Sequence, residues 1–255
     1  MSIILYTSWI STFARKVAIG LELKGLAYES IDGLRRDFRT QLTALNPRAE
    51  VPVLKDGDVT VVNSSDILQY LEWRYPSPAL YPAEISERVV ARALERLADQ
   101  RFDSIVVDSS IWKWAQRNDE PPQGLLKIAQ DDIDECLTRL ESALSTRSKP
   151  WPFGAPGIVE CAWFPNLIAL RPQGFALEAD RFPAVVAWLA TMREHPVFTV
   201  DRKRTADFIK TLSNRDHERQ RIFWSGDRIE WLMSRGFHRW FKAEIETGRT
   251  TFPET

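Results

Sequence analysis

Three places in the chain combine groups able to hold a small ligand. Ser11 and Thr12 follow the apolar run Ile3–Thr7 and stand immediately ahead of a helical pattern over residues 13–23. Ser64 and Ser65 occupy the same kind of junction, between Val59–Val62 and a helical pattern that ends before Pro76. A hydroxyl at such a junction either caps the helix or joins the unpaired N–H groups of the first turn in binding an anion. The third place is Val51-Pro52, directly before Val53-Leu54. Proline has no N–H to donate and is kept out of central strands, so Pro52 marks a turn feeding a short strand.

The elements around these residues follow from apolar spacing. Ile3–Thr7 is a strand, and residues 13–23 form a helix stopped by Lys24-Gly25. Residues 28–31 read as a second strand, and a weakly amphipathic segment runs to Leu45. Val53-Leu54 and Val59–Val62 flank Asp56-Gly57, which is a hairpin signal, and a helix over residues 65–75 follows. The order β-α-β-α-β-β-α is that of a thioredoxin-like domain, assigned to residues 1–78. Prolines 76, 78 and 82 make a stiff boundary. Beyond it, residues 84–204 carry apolar positions at three- and four-residue steps and read as all-α. The remaining residues, 205–255, form a helical extension with basic and aromatic clusters at Arg221-Ile222-Phe223-Trp224 and Arg239-Trp240-Phe241-Lys242.

Three ordered segments carry a resemblance to a known family: residues 5–17 (LYTSWISTFARKV), 46–52 (NPRAEVP) and 63–71 (NSSDILQYL). Together they resemble the cytosolic glutathione transferases of the serine type, similar to the theta, phi and zeta classes, here with a C-terminal extension. The resemblance implies a thioredoxin-like glutathione-binding domain followed by an all-helical domain, a homodimer, and detoxifying conjugation of glutathione to a small hydrophobic electrophile without metal.

The resemblance also assigns roles. Ser11 matches the position that presents a hydroxyl to the glutathione sulfur. A free thiol near pKa 8.5 is mostly protonated at neutral pH, and a donated hydrogen bond favours the thiolate. Ser11 acting only as a helix cap is the simpler alternative. Thr12 is the second candidate, because isomerase-type members carry Ser-Ser-Cys and use the second hydroxyl; Phe13 replaces that cysteine here. A cis turn at Val51-Pro52 would pair its backbone with the cysteinyl backbone of glutathione. Ser64 with Ser65 and Asn63 would hold the γ-glutamyl end, with capping by Ser64 as the alternative, and Arg39 would face the glycyl carboxylate. Trp9, Ile10, Phe102 and Trp112 would line the electrophile pocket.

The chain departs from the family pattern at Glu50, Asn63 and Asp66, which bring acidity or shorter side chains to the ligand site, and at Gly157, where a Ser or Thr normally opens a capping box with Glu160. Two other readings therefore stand beside the transferase: a glutathione-dependent isomerase or lyase on the same fold, and a non-catalytic transferase-like binding protein.

Bulk composition fits these readings. The 255 residues are 44% apolar, and 34 basic against 35 acidic side chains leave a net charge of −1, so no field draws the chain to nucleic acid or an anionic membrane. Cys136 and Cys161 show no metal or disulfide spacing, and the N-terminus reads as a strand, which makes the cytoplasm the expected location.

Overall fold

The computed structural model describes residues 2–33, 35–114, 117–147, 150–212, 222–223 and 226–251. Its first unit follows the expected order: β1 (Ile3–Thr7), α1 (Thr12–Leu23), β2 (Tyr28–Asp32), α2 (Arg36–Leu45), β3 (Val53–Asp56), β4 (Val59–Val62) and α3 (Ser64–Arg74). The sheet runs β2-β1-β3-β4, with β1 parallel to β2 and antiparallel to β3, and β3 antiparallel to β4. This is the thioredoxin-like arrangement.

The helical unit comprises α4 (Ile85–Arg96), α5 (Asp103–Ser109), α6 (Ile111–Trp114), α7 (Leu125–Ser145), α8 (Ile158–Gln173), α9 (Pro183–Glu194) and α10 (Pro196–Leu212). Between α4 and α5 the chain stays helical but widens into a π-turn over Leu97–Phe102, in which the Asp103 N–H reaches the Ala98 carbonyl. The boundary expected at 204/205 falls inside α10, because residues 196–212 wind as one helix.

One apolar core joins both units, from Leu5 and Val17 through Leu68 to Phe102, Leu140 and Trp163. Helix α1 lies at its centre, packed on the sheet, α3, α8 and α10, and residues 14–21 are buried on every side, Arg15 and Lys16 included. Arg15 meets Asp201 of α10 as a two-pronged buried pair, its NH2 group 2.5 Å and its Nε 3.0 Å from the carboxylate oxygens. Burial of both partners is tolerable only because the fork satisfies the carboxylate.

The missing capping residue at the start of α8 has a local cause. An added Cβ on Gly157 would lie 2.2 Å from the Leu80 carbonyl oxygen. That carbonyl, in the segment linking the two units, accepts the Ile158 N–H at 2.9 Å. Glycine lets the linker approach and satisfy the first donor of the helix, the Ile158 N–H. Glu160 still reaches back to the Gly157 N–H at 2.8 Å, so half of the capping box survives.

The extension packs on the helical unit through α11 (Gly226–Ser234) and α12 (His238–Glu246), and two short strands, β5 (Ile222–Phe223) and β6 (Thr250–Thr251), pair in parallel. Trp231, Leu232, Phe237 and Phe241 enter the main core. Three buried carboxylates anchor it: Asp108 to Arg228, Asp132 to Trp231 and Arg235, and Glu244 to Arg117 and Arg249. Arg221 and Trp224 of the first basic-aromatic cluster lie outside the described residues.

Candidate functional site

Strand register gathers the three candidate segments at one end of the sheet. Tyr6 pairs with Val53, and Val53 with Val62, so the end of β1, the start of β3 and the end of β4 lie side by side. The next residues along each chain are the loop to Ser11, the Val51-Pro52 turn and the Asn63-Ser64 junction.

Ser11 caps α1: its extended backbone (φ −77°, ψ 118°) lets the side-chain oxygen accept the Ala14 N–H at 3.3 Å. The hydroxyl proton of Ser11 has no acceptor among the described residues, so capping and donation to a ligand are compatible. Thr12 differs. Its hydroxyl donates to the Asp103 carboxylate of α5. Thr12 therefore keeps its lone pairs, but not its proton, for a ligand.

The Val51-Pro52 bond is cis, with Pro52 buried and Val51 half-buried. Glu50, which from sequence adds acid near the ligand, is held by the Arg48 guanidinium at 2.9 and 3.1 Å. At the third junction the cap is Asn63 rather than Ser64. Asn63 has φ 71°, and its side chain accepts the Ser65 N–H at 3.1 Å. Asparagine is among the few side chains that tolerate positive φ. Ser64 is the first helical residue and is buried, while Asp66 is exposed.

Ser65 faces inward. It accepts a hydrogen bond from Lys16 Nζ at 3.0 Å and donates to Glu95 at 2.8 Å, while Lys16 also bonds Glu95 at 2.6 Å and Asp99. Glu95, Asp99 and Asp103 recur at four-residue steps and meet Lys16 and Thr12, themselves four apart on α1. Burial pushes the Asp103 carboxyl up to about 6, against the lowering effects of the Thr12 hydrogen bond and the Arg228 charge. Lys16 and Asp103 were not singled out from sequence; an acidic four-residue series ordinarily marks a solvated helix face.

The other candidates disperse. Arg39 is exposed on α2. Ile10 is exposed beside Ser11, at 48%. Trp9 turns toward α10, where the Arg204 guanidinium lies 4.4 Å from its ring and an open groove of about 470 Å³ separates loop and helix. Phe102 lines no pocket: it is fully buried, its ring 5.0 Å from that of Trp163, because the π-turn directs it into the core. Trp112 is covered by the extension, 5.6 Å from Trp240 and 5.4 Å from the Arg117 guanidinium. Among the described residues, no group of three or more His, Cys, Asp or Glu side chains could hold a metal.

Residues 5–79 match the family model described as glutathione S-transferase, N-terminal domain, and residues 86–191 the corresponding C-terminal domain model. Maleylacetoacetate isomerase of Pseudomonas aeruginosa is 31% identical over 204 residues, an alignment covering 76% of this chain and 92% of that protein. Glutathione S-transferase Z1 of Arabidopsis thaliana is 43% identical over 89 residues, 34% of this chain, and the alignment spans 40% of that protein. Among solved structures, maleylacetoacetate isomerase from Anaeromyxobacter dehalogenans with GSH bound in its active site superposes with a TM-score of 0.63 at 29% identity, covering 78% of this chain and 94% of that one. Both family models end before α10, so the extension lies outside them.

Proposed function

Because the chain belongs to the glutathione S-transferase family, we propose that it is a glutathione-dependent isomerase acting on conjugated cis-alkenes of the maleyl type. The convergence of Ser11, Val51-Pro52 and Asn63-Ser64 at one sheet end carries this reading. Relatives aligned over most of their length include maleylacetoacetate isomerases. They support the isomerase alternative over the conjugating transferase that the sequence first suggested.

In this proposal Ser11 donates to the glutathione sulfur and the first turn of α1 adds its unpaired N–H groups. The Val51 backbone pairs with the cysteinyl unit, and the start of α3, with Asn63 and Ser64, faces the γ-glutamyl carboxylate, while Ser65, expected there from sequence, is turned into the Lys16–Glu95 network. The thiolate adds to one alkene carbon while charge moves onto the conjugated carbonyl. The former double bond then turns freely, and expulsion of sulfur restores it in the trans form. Glutathione is regenerated and needs no metal.

The large apolar side chains Trp73 of α3 and Ile85 and Val89 of α4, which are 75, 78 and 64% exposed, support a homodimer. Buried, unpaired Cys136 and Cys161 fit a reducing compartment such as the cytoplasm.

The test supplies glutathione and a maleyl-type cis acid and follows product geometry and remaining glutathione. Catalytic glutathione should suffice, and Ser11→Ala should lower turnover by about 10²–10³-fold, as losing one aligned donor does elsewhere. Stoichiometric consumption of glutathione would return the reading to conjugation, and undiminished turnover in the variant would remove Ser11 from the chemistry.

A further inference from the structure

Asp103 is a buried carboxylate, 4% exposed, whose side chain receives one hydrogen bond among the described residues, from Thr12. The neighbouring charges are engaged elsewhere. Asp99, one turn earlier, is bound to Lys16 and Ser65; Asp108, further along α5, meets Arg228; and Arg228, on α11, reaches Asp103 by its field while its Nε lies 2.5 Å from Asp108. A packing role would be met by an asparagine or an apolar residue at less desolvation cost. What the carboxylate adds is a proton acceptor directly behind the hydroxyl next to Ser11.

We propose that Thr12 and Asp103 form a proton relay for the ligand thiol. The inference deepens the glutathione-dependent reading and rests on it. As glutathione binds, its S–H bond breaks and the proton joins Thr12 Oγ1, while the hydroxyl proton of Thr12 passes to Asp103. Net charge is unchanged, and the negative charge moves from Asp103 to sulfur, where Ser11 donates to it. Ser11 and Thr12 thus divide the work: one supplies a hydrogen bond to the thiolate, the other accepts the proton that forming the thiolate releases.

The two acids are close in strength. A thiol of ordinary pKa about 8.5 falls to about 6.5 with a donated hydrogen bond and a helix N-terminus beside it. The Asp103 carboxyl stands at about 6 through burial. A proton moves readily between groups so matched, and the pair titrates as a unit. In an isomerisation the sulfur departs as it arrived, so a proton kept on Asp103 is available to the leaving thiol. Asp103 acts through Thr12 and is a positioning residue rather than one that touches substrate.

The experiment titrates glutathione into wild type, Thr12→Val, Thr12→Ser and Asp103→Asn at neutral pH. Thiolate is counted by its ultraviolet absorbance, and released protons by calorimetry in two buffers of different ionisation enthalpy. Wild type should release measurably less than one proton per thiolate, because the thiolate charge raises the neighbouring Asp103 and keeps part of the proton there. In Thr12→Val and Asp103→Asn the thiolate formed should be matched one for one by released protons. Thr12→Ser should keep the wild-type ratio. One proton per thiolate in wild type, or an unchanged ratio in Thr12→Val, overturns the relay. If Asp103→Asn does not fold, the two Thr12 variants decide alone. Failure of wild type to bind glutathione overturns the glutathione reading too, whereas binding with full proton release overturns only the relay.

Discussion

Replacing Gly157 with serine restores the residue type that the family uses to cap this helix, and the structure predicts that it destabilises the protein. Elsewhere a serine cap contributes about 1 kcal/mol. Here its Cβ would stand 2.2 Å from the Leu80 carbonyl oxygen. Ordinary contact requires the linker to withdraw by about 1 Å, which breaks the 2.9 Å bond from Ile158 N–H to that carbonyl. The lost bond costs about 1 kcal/mol, and a donor and an acceptor left unpaired in a buried place cost about 1–3 more. The gain from the new cap offsets part of this, leaving a net loss of about 1–3 kcal/mol. Urea unfolding followed by tryptophan fluorescence should place the midpoint lower by about 1 M. Gly157→Ala, which meets the same carbonyl without a hydroxyl, should be slightly worse. A serine variant as stable as wild type would show that the linker yields freely and that the glycine is not required by the approach of Leu80.

Two further changes test the buried charges. Arg15→Ala strands Asp201, which is 1% exposed, and should cost about 3–5 kcal/mol in urea unfolding, whereas Arg15→Met combined with Asp201→Leu should recover most of it; a single variant within about 1 kcal/mol of wild type would contradict the pairing. Glu160 is raised from 4.5 to about 7 by burial, against hydrogen bonds from Gly157 and Trp188 that favour its anion. The folded state therefore holds this proton more tightly than the unfolded chain, and the stability it contributes is present below pH 4.5 and is lost as pH rises through 7. Relative to Glu160→Gln, wild type should lose about 3 kcal/mol between these limits; a gap between the two proteins that is constant with pH would sink the assignment.

Most of the first unit was legible because its signals are local. Apolar runs, Lys24-Gly25, Asp56-Gly57 and Pro76 bound the elements within a few residues of where they fold. The site was legible only where backbone does the work: Ser11 and the Val51-Pro52 turn sit as their neighbours dictate. What escaped were pairings across long separations. Nothing near Asp103 announces Thr12, 91 residues earlier, as its partner. Phe102 reads equally well as pocket or core until the π-turn sets its direction. Trp112 meets Trp240 only because the extension folds back over α6. At Gly157 the sequence showed a departure, and its cause lay in a carbonyl 77 residues upstream whose approach no periodicity encodes.

The π-turn at Leu97–Phe102 has a consequence of phase. Side chains four apart on a regular α-helix advance about 40° around the axis per step, which would carry Asp103 about 80° from Glu95. One wide turn rewinds part of that drift. Glu95, Asp99 and Asp103 consequently stay in line with the row on α1 that presents Lys16 and Thr12. The same number of residues in ordinary winding would leave everything beyond the turn rotated by about 100° from where it now stands. Asp103 would swing away from Thr12 in the same motion that carried Asp108 away from Arg228. The extra residue acts as a timing gear between the ligand end of the sheet and the C-terminal extension, so their alignment is inherited or lost together.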